Sequence, residues 1–248
     1  MFNRSLSNTV SKDRNTEPKA VILNERETMP MASGSCDMCG ACAENCPTKA
    51  IRITDRWTVD LGKCIFCMDC SMVCPGNMIS EVAAPDYALT REELIVDRDT
   101  VIENMERKLD EGTRRMFGRS VALRELDTGS CNACEVDLNC MSNQFYDMHR
   151  FGIKVVASPR HADGLIVTGP MANNMKEAAE RTYGATPAPK LVIASGACAI
   201  SGGMFVKGDV FGEGISSVLE PSIFIPGCPP TPDRVIRTLV KALGLHCN

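Results

Sequence analysis

Aromatic residues are scarce in this 248-residue chain, with one Trp, three Tyr and eight Phe, or 5% of the total. Histidine is scarcer still at three, and no His pair has ligand spacing, so a metal site built on histidine is not expected. No apolar run approaches the ~18 to 20 residues that span a bilayer; residues 191–194 are among the longest. The N-terminus carries no apolar h-region, so a secretory signal is not expected. Neither sign of charge prevails, with 27 Lys and Arg against 31 Asp and Glu. The basic residues are scattered, which leaves no electrostatic footprint for nucleic acid. Walker A and G-x-G-x-x-G patterns are both missing, which speaks against a nucleotide cofactor. What remains, 44% hydrophobic and 23% charged, belongs to a folded soluble protein of one or two domains.

Against these shortages stand 14 cysteines. A disulfide scaffold is normally short and secreted, and this chain is neither. Eight of the 14 fall between Cys36 and Cys74, often three residues apart, a spacing that suits metal better than bridges. The expectation is an intracellular metalloprotein.

The eight form two copies of one pattern. Cys36, Cys39, Cys42 and Cys46-Pro47 are repeated 28 residues later as Cys64, Cys67, Cys70 and Cys74-Pro75. This C-x₂-C-x₂-C-x₃-C-P run resembles bacterial two-cluster ferredoxins. Three thiolates on one tight loop each reach a different iron of a cubane, and the fourth must come from elsewhere. We therefore expect Cys36, Cys39, Cys42 and Cys74 to hold one [4Fe–4S] cluster, and Cys64, Cys67, Cys70 and Cys46 the second. Zinc is the competing reading, but C-x₂-C-x₂-C triples suit cubanes better than tetrahedral pairs.

Along the chain, residues 1–30 are polar and read as a disordered terminus or as an arm on a partner subunit, with Val21, Ile22 and Leu23 as its contact. Residues 31–90 are the two-cluster unit. In residues 91–120, Ile102, Met105, Leu109 and Met116 recur at helical spacing, which predicts an amphipathic connecting helix or a solvated linker. From residue 121 to 248, short apolar runs alternate with helical stretches. Strands are expected at 121–126, 154–157, 165–168, 191–194 and 223–225. One helix is expected over 174–183, with Gly184 as its stop, and another from Thr231-Pro232-Asp233. The fold class is thus α/β: a mainly parallel, flavodoxin-like sheet domain preceded by a small α+β two-cluster ferredoxin domain.

Cys131, Cys134, Cys198 and Cys228 each lie just beyond an expected strand, in turns containing Gly129, Gly196 and Gly227. In an open parallel sheet those strand ends share one edge, where ligand sites form. Convergence there would make a third [4Fe–4S] cluster; four unrelated core thiols are the plainer alternative.

Resemblance adds to this. Six segments carry it: Asp127-Thr128-Gly129-Ser130-Cys131-Asn132-Ala133-Cys134-Glu135, the run from Phe145 to Gly152, the run from Ser158 to Asp163, Thr168-Gly169-Pro170, the run from Gly196 to Gly203, and Pro226-Gly227-Cys228-Pro229-Pro230-Thr231-Pro232. They are similar to the small subunit of group 4, energy-converting [NiFe] hydrogenases, including the formate hydrogenlyase type. The superfamily also contains the complex I subunit that carries the terminal cluster. Residues 31–90 resemble the eight-iron ferredoxin subunit of such complexes, so the chain looks like a fusion of two normally adjacent subunits. Complex I members usually begin their cluster with adjacent cysteines. Here Asn132 and Ala133 separate Cys131 from Cys134, which is similar to the hydrogenase branch.

The resemblance implies an oxidoreductase subunit that carries electrons through three [4Fe–4S] clusters to a NiFe site on a separate large subunit. Implied partners are that [NiFe] hydrogenase large subunit (or its complex I-like counterpart), other hydrogenase or complex I-like subunits including membrane ones, and a donor such as a ferredoxin or a formate dehydrogenase module. The implied place is cytoplasmic, peripheral on a membrane complex. A complex I-like module serving a quinone is the rival, and a stand-alone carrier or redox sensor is the third reading. Glu135, beside Cys134, is a candidate proton relay; the plainer role is an acid favoured at a helix N-terminus. Arg150, Arg160 and His161 either line the face toward the large subunit or serve as buried salt-bridge or hydrogen-bonding residues. Cys140 reads as a core thiol and Cys247 as a terminal one.

Overall fold

A computed structural model describes residues 27–100, 105–206 and 210–245. Most of the expected N-terminal arm, Ile102 and Cys247 lie outside the described residues.

The first half is two interlocked repeats. One repeat is β1 (Thr28–Ala32), α1 (Ala41–Asn45) and β2 (Ile51–Ile53); the other is β3 (Trp57–Asp60), α2 (Asp69–Met72) and β4 (Ile79–Ala83). β1 pairs antiparallel with β4, and β2 with β3. Every strand of one repeat is therefore hydrogen-bonded to a strand of the other, so neither repeat closes a sheet by itself. The short β5 (Ile95–Val96) extends the pair at β3.

The second half is a five-stranded parallel sheet of β6 (Val121–Asp127), β7 (Ile153–Val155), β8 (Gly164–Thr168), β9 (Leu191–Ser195) and β10 (Ile223–Ile225), in the order β10-β9-β8-β6-β7. Renumbered within the sheet this is the flavodoxin-like 2-1-3-4-5 order, whose topological switch point lies between β6 and β8. β8 and β9 are buried along their whole length. Apolar runs without alternation are what strands covered on both faces require.

Two cores sandwich the sheet. Leu165, Val167, Val192 and Ala194 join Met29, Val59, Leu61 and Leu94 of the first half in one cluster. Ile166 and Ile193, one residue out of phase, join Val235, Ile236 and Leu239 of α7 (Pro232–Leu243) in the other. The ferredoxin-like half is thus the cover of one sheet face. At the open edge of β10, Ala88 and Phe224 exchange both backbone hydrogen bonds, which closes that edge.

α7 starts as expected, with the Thr231 hydroxyl accepting from the Arg234 amide at 3.3 Å, and ends at Gly244 in the left-handed region. Each large side chain that it buries is worth roughly 1.5–3 kcal/mol. Two expectations need correcting. The helix near residue 174 is α5 (Lys176–Ala185), which runs through Gly184. Lys190 Nζ donates to the carbonyls of Tyr183 and Thr186, so the helix end is satisfied without a glycine stop. The connecting helix is only α3 (Glu111–Phe117), begun by Asp110 accepting from the Thr113 amide at 3.0 Å. Residues 105–110 instead lie along α7, with the Leu109 amide on the Ala242 carbonyl. Met105 is buried and Met116 is exposed, so their spacing does not mark one helical face.

Candidate metal centres

The repeat extends to the backbone of the cysteine loops. Met38 and Phe66, Gly40 and Met68, and Lys49 and Asn77 all have positive φ, each pair set apart by the same interval as the two cysteine runs. Five of those six carry side chains where the left-handed region is costly, so the loop shape is imposed by its surroundings. In it, the Ala50 amide donates to Cys46 Sγ at 3.3 Å and the Met78 amide to Cys74 Sγ at 3.2 Å, equivalent bonds in the two copies. The Phe66 amide donates to Cys64 Sγ at 3.4 Å. Such bonds aim amide donors at the sulfur atoms, the kind of contact that tunes a cluster's potential.

Cys46, Cys64, Cys67 and Cys70 line one cavity together with Pro30, Pro47 and Ile51. The interlocked strands thus bring the last cysteine of the first repeat to the loop of the second. Burial pushes the Cys64 thiol up to about 12, with Cys46, Cys70 and Cys67 adding to it. Burial likewise takes Cys70 to about 11. Thiols that resist ionisation alone are stabilised as thiolates by bound iron, which deprotonates its sulfur ligands outright.

The other four cysteines sit at the carboxyl edge of the parallel sheet. β6 ends at Asp127, whose carboxylate accepts from the amides of Gly129 and Ser130, both at 2.8 Å. The Thr128 hydroxyl donates to the Thr168 carbonyl at 2.6 Å, pinning this turn to the end of β8 at the switch point. Cys131 and Cys134 then flank the start of α4 (Ala133–Cys140). Cys198 is in the first turn of α6 (Ala197–Ser201), directly after β9. Cys228 follows β10, and the Ala197 amide donates to the Gly227 carbonyl at 2.8 Å, which ties its turn to that of Cys198.

Glycine shapes this pocket. A Cβ on Gly196 would stand 3.0 Å from Cys134 Sγ, and one on Gly203 would stand 2.8 Å from Cys198 Sγ. Burial raises the Cys134 thiol strongly, and Glu135, Cys198, Cys228 and Cys131 add to the rise. Burial raises Cys198 to about 11, with Cys228 and Cys131 contributing. The four therefore lie within electrostatic reach of one another. Among the described residues, no three His, Cys, Asp or Glu side chains are grouped to hold one shared metal ion. The fit to a cluster thus rests on the loops and their glycines. Gly196→Ala is expected to lower iron retention at this site: its φ of 93° and ψ of 157° suit glycine alone at a cost of ~1–3 kcal/mol, and the methyl would displace Cys134. Iron and acid-labile sulfide per chain would fall; unchanged values would show that the pocket does not need the space.

Glu135 is buried in α4. Its Oε2 accepts from Ser130 Oγ at 2.8 Å, whereas Oε1 is buried without a hydrogen-bond partner among the described residues. Cys140, the last residue of α4, is half-buried. The Arg150 guanidinium lies 4.8 Å from the centre of the Phe151 ring. Arg160 and His161 are not buried, so the expectation of a buried salt-bridge or hydrogen-bonding role does not describe them. Sequence reasoning missed Arg234, which is fully buried and salt-bridged to Glu27 at 2.8 Å. A signal was present: a cation beside Val235 and Ile236 in the first turn of an amphipathic helix.

The family model described as NADH ubiquinone oxidoreductase, 20 Kd subunit, matches residues 131–242, and that of a 4Fe-4S dicluster domain matches residues 35–78. The probable membrane-bound hydrogenase subunit mbhJ of Pyrococcus furiosus is 40% identical over 129 residues, covering 52% of this chain and 77% of the relative. Formate hydrogenlyase subunit 7 of Escherichia coli is 41% identical over 127 residues, 51% of this chain and 50% of that protein. An NADH-quinone oxidoreductase subunit of Bacteroides fragilis is 37% identical over 152 residues, 57% of this chain and 76% of the relative.

Proposed function

Because the chain belongs to the family of the NADH ubiquinone oxidoreductase 20 Kd subunit, we propose that it is the iron–sulfur electron-transfer subunit of a membrane-associated [NiFe] hydrogenase complex. The observation that carries the choice of branch is the separation of Cys131 from Cys134 by Asn132 and Ala133 at the start of α4. A [NiFe] large subunit would cover that edge and hold the catalytic metal, and a ferredoxin or a formate dehydrogenase module would supply electrons. No helix among the described residues is long and apolar enough to cross a membrane. Attachment would therefore run through other subunits, on the cytoplasmic side.

In this reading the chain carries three [4Fe–4S] clusters, two in residues 31–90 and one in residues 121–248, with residues 91–120 as the link. Clusters of this kind supply one-electron chemistry at potentials set by hydrogen bonds to sulfur and by solvent exposure. The first pair of sites is assigned to Cys36, Cys39, Cys42 with Cys74, and to Cys64, Cys67, Cys70 with Cys46. Cys131, Cys134, Cys198 and Cys228 form the third.

The contacts between the halves support an order. Ser201 Oγ donates to the Gly62 carbonyl at 2.7 Å, and Ile200 packs where a Cβ on Gly62 would stand. Gly62 is two residues before Cys64, and α6 begins beside Cys198. The loop of the second repeat is thus the one that abuts the C-terminal set, and electrons would enter at the first. Glu135 would hold or pass a proton beside Cys134 through its unoccupied Oε1.

The quinone-linked reading keeps one specific support, the similarity to the NADH-quinone oxidoreductase subunit of Bacteroides fragilis. Nickel and iron content with hydrogen-dependent dye reduction, measured on the anaerobically isolated native complex, separates the two. We expect nickel, hydrogen activity and about twelve irons on this chain. Full iron without nickel or hydrogen activity would favour the quinone module. In the same complex, Glu135→Gln should keep the iron and lower turnover; full turnover would remove the proton role.

A further inference from the structure

The largest fully buried side chain among the described residues is a cation, Arg234. It is 0% exposed. It stands in the first turn of α7, where a cation opposes the helix dipole, so helix stability does not account for it. Its neighbours are informative. Nη1 donates to the Pro226 carbonyl at 2.6 Å, two residues before Cys228, and meets Glu27 Oε2 at 2.8 Å. The guanidinium carbon lies 5.2 Å from the centre of the Phe66 ring, a cation–π distance. Phe66 is the residue whose amide donates to Cys64 Sγ. Glu27 in turn accepts from the Thr231 amide at 3.1 Å. One side chain thus touches the turn that presents Cys228 and the loop that presents Cys64 and Cys67.

We propose that Arg234 is a positioning and potential-setting residue. It clamps the two cysteine loops that meet across the boundary between the halves, and it places a fixed positive charge between them, with Glu27 as its partial counterweight. This rests on the iron–sulfur reading above. A cluster gains one negative charge when reduced, and a desolvated cation nearby favours that form because the local dielectric screens it little. Arg234 therefore raises the potentials of the cluster of Cys64, Cys67, Cys70 and Cys46 and of the cluster of Cys131, Cys134, Cys198 and Cys228. Both then accept electrons more readily than the outlying cluster of Cys36, Cys39, Cys42 and Cys74.

The test is an EPR-monitored redox titration of the native complex carrying Arg234→Gln, Arg234→Lys or Glu27→Gln. Arg234→Gln should lower the reduced-to-oxidised ratio of both adjacent clusters roughly tenfold at fixed poise, which is about 59 mV for one electron. Glu27→Gln should move the same two signals in the opposite direction, since it leaves the cation and removes its counterweight. Arg234→Lys keeps the charge and should restore potentials close to wild type. The outlying cluster should barely move in any of them. Opposed shifts confined to two clusters are not what a purely structural residue produces. Potentials that stay put, shift alike in all three clusters, or move in the same direction in Arg234→Gln and Glu27→Gln would overturn the proposal. If Arg234→Gln fails to assemble, Glu27→Gln and Arg234→Lys still decide it. Wild-type complex lacking a signal from the C-terminal set would instead overturn the cluster reading, a failure visible before any variant is made.

Discussion

Replacing Cys74 by alanine is expected to empty the site built on Cys36, Cys39 and Cys42 and to leave that of Cys64, Cys67 and Cys70 filled. Nearness in sequence would suggest the reverse, since Cys74 closely follows Cys70 and lies far along the chain from Cys42. The interlocked strands decide against it. With β1 on β4 and β2 on β3, the chain leaving each loop crosses to the other repeat. Cys46 already shares a cavity with Cys64, Cys67 and Cys70. By the repeat, Cys74 would take the equivalent place toward the first loop; its sulfur accepts from the Met78 amide as that of Cys46 does from Ala50. Cys46→Ala should then empty the other site. Each variant should lose about four of about twelve irons and nearly all electron flow, because a chain of one-electron carriers tolerates no missing link. Iron per chain, and which EPR signal vanishes, are the readouts. Loss of the second repeat's signal from the Cys74 variant would show ligation within each repeat and sink the crossed assignment.

The parts of this molecule legible in its sequence are those where local chemistry has one solution. Tandem cysteine triples, each followed by Cys-Pro, need a loop of fixed shape, and the matched positive-φ residues are that shape. Apolar runs such as residues 191–194 have no polar face to offer, so a strand buried on both sides follows. Legibility fails where distant groups decide. Gly184 has the residue type of a helix stop, yet Lys190 caps the last turn from beyond it. Met105 and Leu109 are spaced as a helix, yet residues 105–110 find α7 to lie on instead, and Tyr87 donates its hydroxyl to the Arg107 carbonyl at 2.8 Å. Arg234 is one of several charged residues in α7, and its burial is made tolerable by groups distant in sequence, among them Glu27 from the far end of the chain and Phe66. The candidate cysteine sites could be picked out for the same reason in reverse: cysteine is labelled by residue type, wherever the chain carries it.

Asp86→Ala is expected to destabilise the protein by about 3 kcal/mol, the lower end of the cost of breaking a buried ion pair. Asp86 is fully buried in the segment that follows β4, where it accepts from Arg237 Nη2 at 2.8 Å and from Lys241 Nζ at 2.7 Å. Without it, two α7 cations lose a buried partner, and Arg237 is itself buried. Asp233 lies against Arg237, and Glu106 accepts from Lys241 at 2.7 Å, which is why the upper end of the range is not expected. Those bonds join α7 to the crossing segment that carries Tyr87 and Ala88, so their loss loosens the cover of one sheet face and the β10 edge together. The pH dependence has a definite sign. Burial by itself would raise the Asp86 carboxyl, but the hydrogen bonds and charges of Arg237 and Lys241 outweigh it and hold the group below its ordinary value. The unfolded chain therefore binds its proton first, and the network's contribution is complete above the ordinary Asp value of about 3.9, fading only as pH falls below it. In urea titrations of the holo chain followed by cluster absorbance, the gap between wild type and Asp86→Ala should be level from about pH 7 down to about 4. A gap that opened or closed within that interval would mean that Asp86 is protonated in the folded protein, and that Arg237 and Lys241 are held by other partners.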